Sequence, residues 1–320
     1  MSFAALRSLL SAAVTVGALG VADVARAEES ALPVLGGAPF RLGIVATDRR
    51  AADRIEPFRR RLEIALDRNV EIVSTGSGLA LARALAEAKV DYAMLSGTAY
   101  ATAWRLCGCV APIAVPRSVD GTAGYHAAVV VRASSSIATV KDLKSRTLAV
   151  AEETSVAGRM LPLAELASAG VPSTDLAKLV PTAGPAAALA LLTDGKVDAA
   201  VVWSTLEGSE AGGYSRGTLA DAVAKGRLAM SDYRIVWSSS LIAHPPHVIR
   251  SSLAEPVKAR LRDVLDDLPE RDPDAYDAVA GSFGGGFVPV GHAAYVNLLP
   301  LVTPPEAAEP TPAEPVKPKT

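Results

Sequence analysis

Leu85-Ala-Glu-Ala-Lys89-Val-Asp91-Tyr-Ala93 returns 107 positions later as Leu192-Thr-Asp-Gly-Lys196-Val-Asp198-Ala-Ala200. In both copies a helical pattern ends, the chain turns at Lys-Val-Asp, and an apolar strand begins. A segment used twice at this distance points to two similar α/β lobes in one chain. Two lobes are a common way to build a cleft that closes on a ligand. Helix-turn-strand joints are built alike in many α/β folds, so the flanking pattern has to carry the rest.

Around the first copy, segments 40–46, 70–73, 91–95 and 110–115 read as strands. Ile55, Phe58, Leu62, Ala65 and Leu66 have helical spacing, and Ser77 can cap a helix running to Ala88. Ser96-Gly97-Thr98 leads into a helix through Trp104. This alternation predicts a lobe with a largely parallel sheet. Around the second copy, strands are expected at 126–132, 147–151, 179–180, 197–203 and 234–237. Helices are expected at 152–168 and 185–193, the latter opening on Pro185. Further helices are expected at 256–268 and near 275–280.

The chain has 320 residues, half of them hydrophobic, which is ample for two lobes. A net charge of −2 without a basic stripe gives no case for nucleic acid, and aromatics are few. Arg7 precedes an apolar run over 9–21, followed by Ala25-Arg-Ala27. That pattern predicts a secretory signal peptide at 1–27 and an exported, soluble mature chain. The run is shorter than the ~20 residues of a spanning helix. From 303 to 320 the chain is mostly Pro, Ala, Glu and Lys, the composition of a disordered tail.

Cys107 and Cys109 flank one glycine. They read as a local bridge or two free thiols rather than a redox or metal pair, since His126, His244, His247 and His292 show no ligand spacing around them. There is no nucleophile elbow, nucleotide loop or zinc pattern, so neither an enzyme nor a cofactor or metal is expected.

Several motifs in fixed order add a resemblance: Arg41-Leu-Gly-Ile-Val45, Lys89-Val-Asp-Tyr-Ala93, Asp120-Gly-Thr-Ala-Gly-Tyr125 and Ile137-Ala-Thr-Val-Lys-Asp-Leu143. Gly158 with Leu161-Pro162, Val197-Asp-Ala-Ala-Val201 and Ile235-Val-Trp-Ser-Ser-Ser-Leu-Ile242 continue it. Together they resemble the periplasmic substrate-binding proteins of phosphonate, phosphite and phosphate ABC transporters, over roughly residues 40–290. The resemblance implies a type II periplasmic binding protein fold. Each α/β lobe is then a mixed sheet flanked by helices, and two hinge strands join the lobes. Lobe 1 is expected to span 39–118 plus 240–300, and lobe 2 to span 119–239. It further implies a monomeric periplasmic protein that delivers a small anionic oxyacid to an inner-membrane ABC permease.

The ligand-gripping run departs from the family pattern. The family has Ser-Thr-Ser-Gly where this chain has Ser155-Val156-Ala157-Gly158, beside Glu152 and Glu153. A family histidine before the next helix is replaced within Thr182-Ala-Gly184-Pro185, and an early tyrosine by Gly78. Each lost hydrogen bond to a charged ligand costs about 1.5–3 kcal/mol. The fold is therefore expected to be kept and the ligand changed towards something larger, less charged or more apolar. The candidate ligand residues are Ser96, Gly97, Thr98, Tyr125, Thr154, Ser155, Val156, Gly184, Trp203 and Ser204. They lie at strand ends and helix starts, where α/β folds bind ligands and helix amides favour anions. Thr47 and Asp48 are weaker candidates, and the repeated lysines and aspartates are assigned to their turns. The alternative is a non-transport periplasmic interaction or sensor-partner protein using the same lobes.

Overall fold

The parallel strands on which the fold rests come from short βαβ units whose helices bury one stripe. The structure is a computed structural model that describes residues 38–303. The expected signal peptide, and the expected tail beyond Thr303, lie outside the described residues. The first sheet takes β1 (Phe40–Val45), β2 (Val70–Thr75), β3 (Tyr92–Met94) and β4 (Val110–Ser118). Between them run α1 (Ala51–Leu66), α2 (Gly78–Ala86) and α3 (Gly97–Cys107). Helix α1 forms because Ile55, Phe58 and Leu62 fall on one buried stripe, while Arg59 pairs with Glu56 and Glu63 on the other face.

The second sheet uses one unbroken stretch: β5 (Gly124–Arg132), β6 (Thr147–Val150), β7 (Lys178–Pro181), β8 (Ala199–Ser204), β9 (Tyr233–Ser238) and β10 (Ile242–Ala243). Its helices are α4 (Leu161–Ser168), α5 (Pro185–Thr193) and α6 (Thr218–Ala224). The chain then returns to the first sheet with β11 (His247–Arg250), α7 (Glu255–Arg271), α8 (Pro273–Ala280) and β12 (Gly284–Pro289). A 3₁₀ segment, His292–Leu301, follows and packs on α3.

The first sheet is ordered β12-β4-β11-β3-β1-β2, and the second β10-β5-β8-β6-β7, with β9 also on β5. In each, three parallel strands (β2-β1-β3 and β7-β6-β8) are followed by an antiparallel one. The two sheets thus repeat one design. The first is mixed rather than largely parallel, because β11 and β12 enter it from the far end of the chain. Residues 242–243 pair with Tyr125 and Gly124 in the second sheet. The return crossing is therefore 244–246, within the segment expected to open the second part of lobe 1. The two crossings, 119–123 and 244–246, lie side by side, with the His244 amide donating to the Ala123 carbonyl at 3.0 Å.

The repeated Lys-Val-Asp has a structural role in both sheets. The Asp91 carboxylate accepts from the Arg41 amide at 2.9 Å and from its guanidinium at 2.6 Å. The Asp198 carboxylate accepts from the Thr147 amide and hydroxyl, each at 2.8 Å. Each aspartate thereby ties the start of the third strand to the start of the first (β3 to β1, β8 to β6). Burial raises the Asp198 carboxyl, but the Thr147 bonds and nearby Arg146 and Arg132 outweigh it and hold it below the usual range. Cys107 and Cys109 form a disulfide around Gly108, which ends α3 in the left-handed conformation.

Candidate functional site

A cavity of about 590 Å³ opens where the two crossings meet the second sheet. Ser118 reaches it from the end of β4, Thr122 from the first crossing, His244 and Pro245 from the second, and Phe283 from the turn before β12. Its other wall carries Tyr125, the run 155–158, Pro185, Trp203, Thr205 and Arg216.

The run 155–158 lies at the start of a thirteen-residue helical stretch that opens with one wide π-turn, Val156–Met160, and continues as α4. Ser155 caps it, its Oγ accepting from the Gly158 amide at 3.1 Å. The Val156 and Ala157 amides fall in the first turn, where no intrahelical acceptor exists. Gly158 is required by packing, since a Cβ there would lie 2.4 Å from that of Ala151. The run thus offers backbone donors at a helix start, with the apolar side chains of Val156 and Ala157 beside them.

Arg216 is the cation of this wall. Among the described residues its guanidinium has no hydrogen-bond or salt-bridge partner. Its loop is fixed from two sides. Gly217 takes φ of 131°, and a Cβ there would meet the Trp203 carbonyl at 2.4 Å, so the backbones of loop and strand touch. Ser215, on the other side, donates to Asp120 at 2.7 Å and bonds the Thr205 hydroxyl at 2.7 Å. Asp120 also accepts from the Thr122 amide and hydroxyl. Burial raises the Asp120 carboxyl, but Ser215, Thr122 and the Arg216 charge together hold it below the usual range.

His244 Nδ1 donates to the Pro116 carbonyl at 2.8 Å, which leaves Nε2 as an acceptor in the neutral ring. Burial, reinforced by the Arg216 charge and opposed by the Pro116 bond, lowers its pKa and favours that neutral ring. The ring lies against Phe283 at 4.5 Å between centroids. Tyr125 meets Trp203 edge-on at 5.5 Å, and burial raises its phenol. The site thus joins one guanidinium, several hydroxyls and two helix-start amides to an aromatic wall. That arrangement suits an oxyanion carrying an apolar group.

Of the ten residues expected from sequence, the cavity brings together Tyr125, Ser155, Val156 and Trp203. Ser96, Gly97 and Thr98 do not line it: Ser96 caps α3 through the Ala99 amide, and Gly97 lies against Leu298. Thr154 is exposed outside it, and Gly184 gives way to its neighbour Pro185. Ser204 is wholly buried, its Oγ accepting from the Leu206 amide; Thr205 reaches the cavity instead. Sequence reasoning missed Arg216, Thr205, Ser118 and Phe283 as ligand candidates. Thr122 lies within the quoted motif 120–125, a signal that was present but unassigned. His244 and His247 are occupied separately, His247 by the Tyr92 hydroxyl. Among the described residues no three His, Cys, Asp or Glu side chains gather to hold a metal ion, and no helix is long and apolar enough to cross a membrane.

The family model described as "ABC transporter, phosphonate, periplasmic substrate-binding protein" matches residues 44–295. No curated protein sequence matches the chain. Among solved structures, XAC2383 from Xanthomonas citri bound to ATP is similar at 20% identity and a TM-score of 0.57, covering 83% of this chain and 96% of that one. The chloride-bound form of XAC2383 gives 20% identity and 0.55, covering 82% and 95%. PhnD1 from Prochlorococcus marinus in complex with methylphosphonate gives 18% and 0.46, covering 82% and 96%. For XAC2383, at this identity, the likeness is one of fold.

Proposed function

The chain belongs to the family of periplasmic substrate-binding proteins of phosphonate ABC transporters, and from that premise we propose that it captures an oxyanion of the phosphonate class at Arg216 and hands it to a permease. The family is one of transport proteins, not enzymes. The observation that carries the reading is the unpaired Arg216 guanidinium in a cavity walled by hydroxyls and helix-start amides. A guanidinium binds two oxygens of such a group at once. Ser118, Tyr125 and Ser155 supply hydroxyl donors, and the Val156 and Ala157 amides supply the rest. His244 Nε2, an acceptor when neutral, suits a ligand that keeps one proton or carries an amine.

One guanidinium balances one negative charge. The reading therefore favours a singly charged oxyanion (a hydrogen phosphonate, a phosphonate ester or a sulfonate) over a dianion such as hydrogen phosphate. The segments 119–123 and 244–246 serve as the hinge in this reading. Rotation there closes Phe283 over the ligand and forms the surface a permease reads.

Isothermal titration with methylphosphonate, methanesulfonate, phosphite and phosphate tests the proposal. Binding of at least one singly charged oxyanion, lost in Arg216→Ala, is the expected result. Absence of binding by all four, or equal binding by Arg216→Ala, overturns it.

A further inference from the structure

The guanidinium, hydroxyl and indole side chains that line the cleft are all of donor types, and among the described residues no carboxylate lines it. His244 is the exception. A carbonyl can only accept, so the bond to Pro116 places the ring's proton on Nδ1 and leaves a lone pair on Nε2. Among the described residues nothing donates to Nε2, and it is not sealed off from solvent, so it opens on the cavity that the ring lines. Further restraints fix its position. The His244 amide donates to the Ala123 carbonyl at 3.0 Å, and the His244 carbonyl accepts from the Tyr295 hydroxyl at 2.8 Å. Pro245 disfavours helical backbone at the residue before it.

We infer that His244 selects the ligand by its proton: Nε2 accepts from an acidic O–H of the head group held at Arg216, so the cleft takes oxyanions that keep one ionisable proton and rejects equally charged ones that have none. Hydrogen phosphonates and hydrogen phosphite belong to the first class. Sulfonates and phosphonate monoesters belong to the second. This inference rests on the proposed oxyanion site and names the atom that discriminates within its charge class.

Shape and charge do not make this distinction, because a singly ionised methylphosphonate and methanesulfonate share a tetrahedral head and one negative charge. The proton does. A sulfonate or ester oxygen facing Nε2 sets lone pair against lone pair and leaves a buried acceptor without a donor. Such a mismatch weakens binding roughly ten- to hundredfold, and a site built around a ligand hydroxyl rejects the analogue that lacks it. The ring would escape only by taking up a proton and turning donor, and its surroundings oppose that. Burial against the Phe283 ring disfavours the charged form, and the Arg216 charge repels it. Asp120, which favours it, is engaged by Ser215 and Thr122. Tyr125 and Tyr295, the other titratable side chains against His244, have phenols raised by burial and stay neutral.

The experiment is isothermal titration of the intact protein and of His244→Gln with methylphosphonate, its monomethyl ester and methanesulfonate, at pH values from about 6.5 to 8.5. Across this range methylphosphonate loses its second proton, whereas the ester and the sulfonate stay singly charged. At the lower pH the intact protein is expected to prefer methylphosphonate to both others by roughly tenfold or more. With rising pH that affinity is expected to fall, approaching roughly tenfold per unit once the dianion predominates, while the other two stay level. A Gln amide turns either its oxygen or its nitrogen to the ligand. His244→Gln is therefore expected to bring the three ligands within a few-fold of one another and to flatten the pH series. Thermal melting establishes that the variant is folded, and the pH series on the intact protein tests the inference without it. Equal or tighter binding of methanesulfonate by the intact protein overturns the role of His244 and leaves the oxyanion site standing. So does a methylphosphonate affinity that holds or rises with pH, or a preference that His244→Gln keeps in full. Binding of none of the three at any pH overturns both.

Discussion

Asp120 accepts a hydrogen bond from Ser215 Oγ at 2.7 Å across 95 residues of chain, tying the first crossing to the loop that carries Arg216. The same carboxylate holds Thr122, so one side chain fixes both the turn of the crossing and the cation of the cleft. Asp120→Ala removes the acceptor shared by Ser215 and Thr122. Each such bond is worth ~1–2 kcal/mol, so oxyanion affinity is expected to fall roughly five- to thirtyfold. A double-mutant cycle checks the cause: in an Arg216→Ala background, Asp120→Ala is expected to add little.

Arg216→Ala itself removes a charge-assisted pair of bonds. At about 1.5–3 kcal/mol per bond, a loss of a hundredfold or more is expected by titration calorimetry. Arg216→Lys keeps the charge without the planar fork and is expected to fall between the two. Melting temperature is expected to change little, since the guanidinium supports no other group among the described residues.

His247 gives the fold an acid-sensitive element. The ring is 1% exposed, takes the Tyr92 hydroxyl at Nδ1, and burial pushes its pKa down to about 3. Below a pH of about 6.5 the unfolded chain takes up a proton that the folded chain refuses. Stability therefore falls with pH by roughly 1.4 kcal/mol per unit from that point, and the contribution levels off only near the folded value. His244, also lowered, adds in the same direction. The window from pH 6.5 to 5 isolates the histidines, because unfolded carboxylates titrate near 4. Urea midpoints across it are expected to show a shallower slope in His247→Gln than in the intact protein.

Asp198→Ala leaves the Thr147 amide without the carboxylate it donates to, at the start of β6. A destabilisation of about 2–3 kcal/mol is expected by urea denaturation, with oxyanion affinity unchanged because the brace lies at the opposite end of the strands from the cavity. An equal loss of affinity would mean that the brace reaches the site through strand register.

The scaffold was legible because its evidence is local. Helical spacing in α1, the strand runs and the twin Lys-Val-Asp turns all lie within a few tens of residues. What escaped depended on distance or on a single step. Gly284-Gly-Gly286 has no side chains to show a strand pattern, and only pairing with β4 makes it strand. Ser204 and Thr205 show how one position decides a site: alternation along β8 turns Ser204 into the fold, while Thr205 meets the cavity. Arg216 follows no periodic element, and its aim comes from a carboxylate far away in sequence. The family resemblance located the helix start at Ser155 but carried no signal for the arginine, which belongs to a loop outside the matching motifs.

The placement of β11 between β3 and β4 also governs how the molecule is made. The second sheet is complete once residue 243 has been synthesised, because all its strands are contiguous in sequence. At that moment β3 and β4 still have bare backbone edges, since the strand that joins them does not yet exist. Unpaired edges of this kind recruit other chains. A polypeptide cut short before His247 is therefore not a smaller working protein. It is a finished second sheet tethered to two open edges, and its expected fate is aggregation.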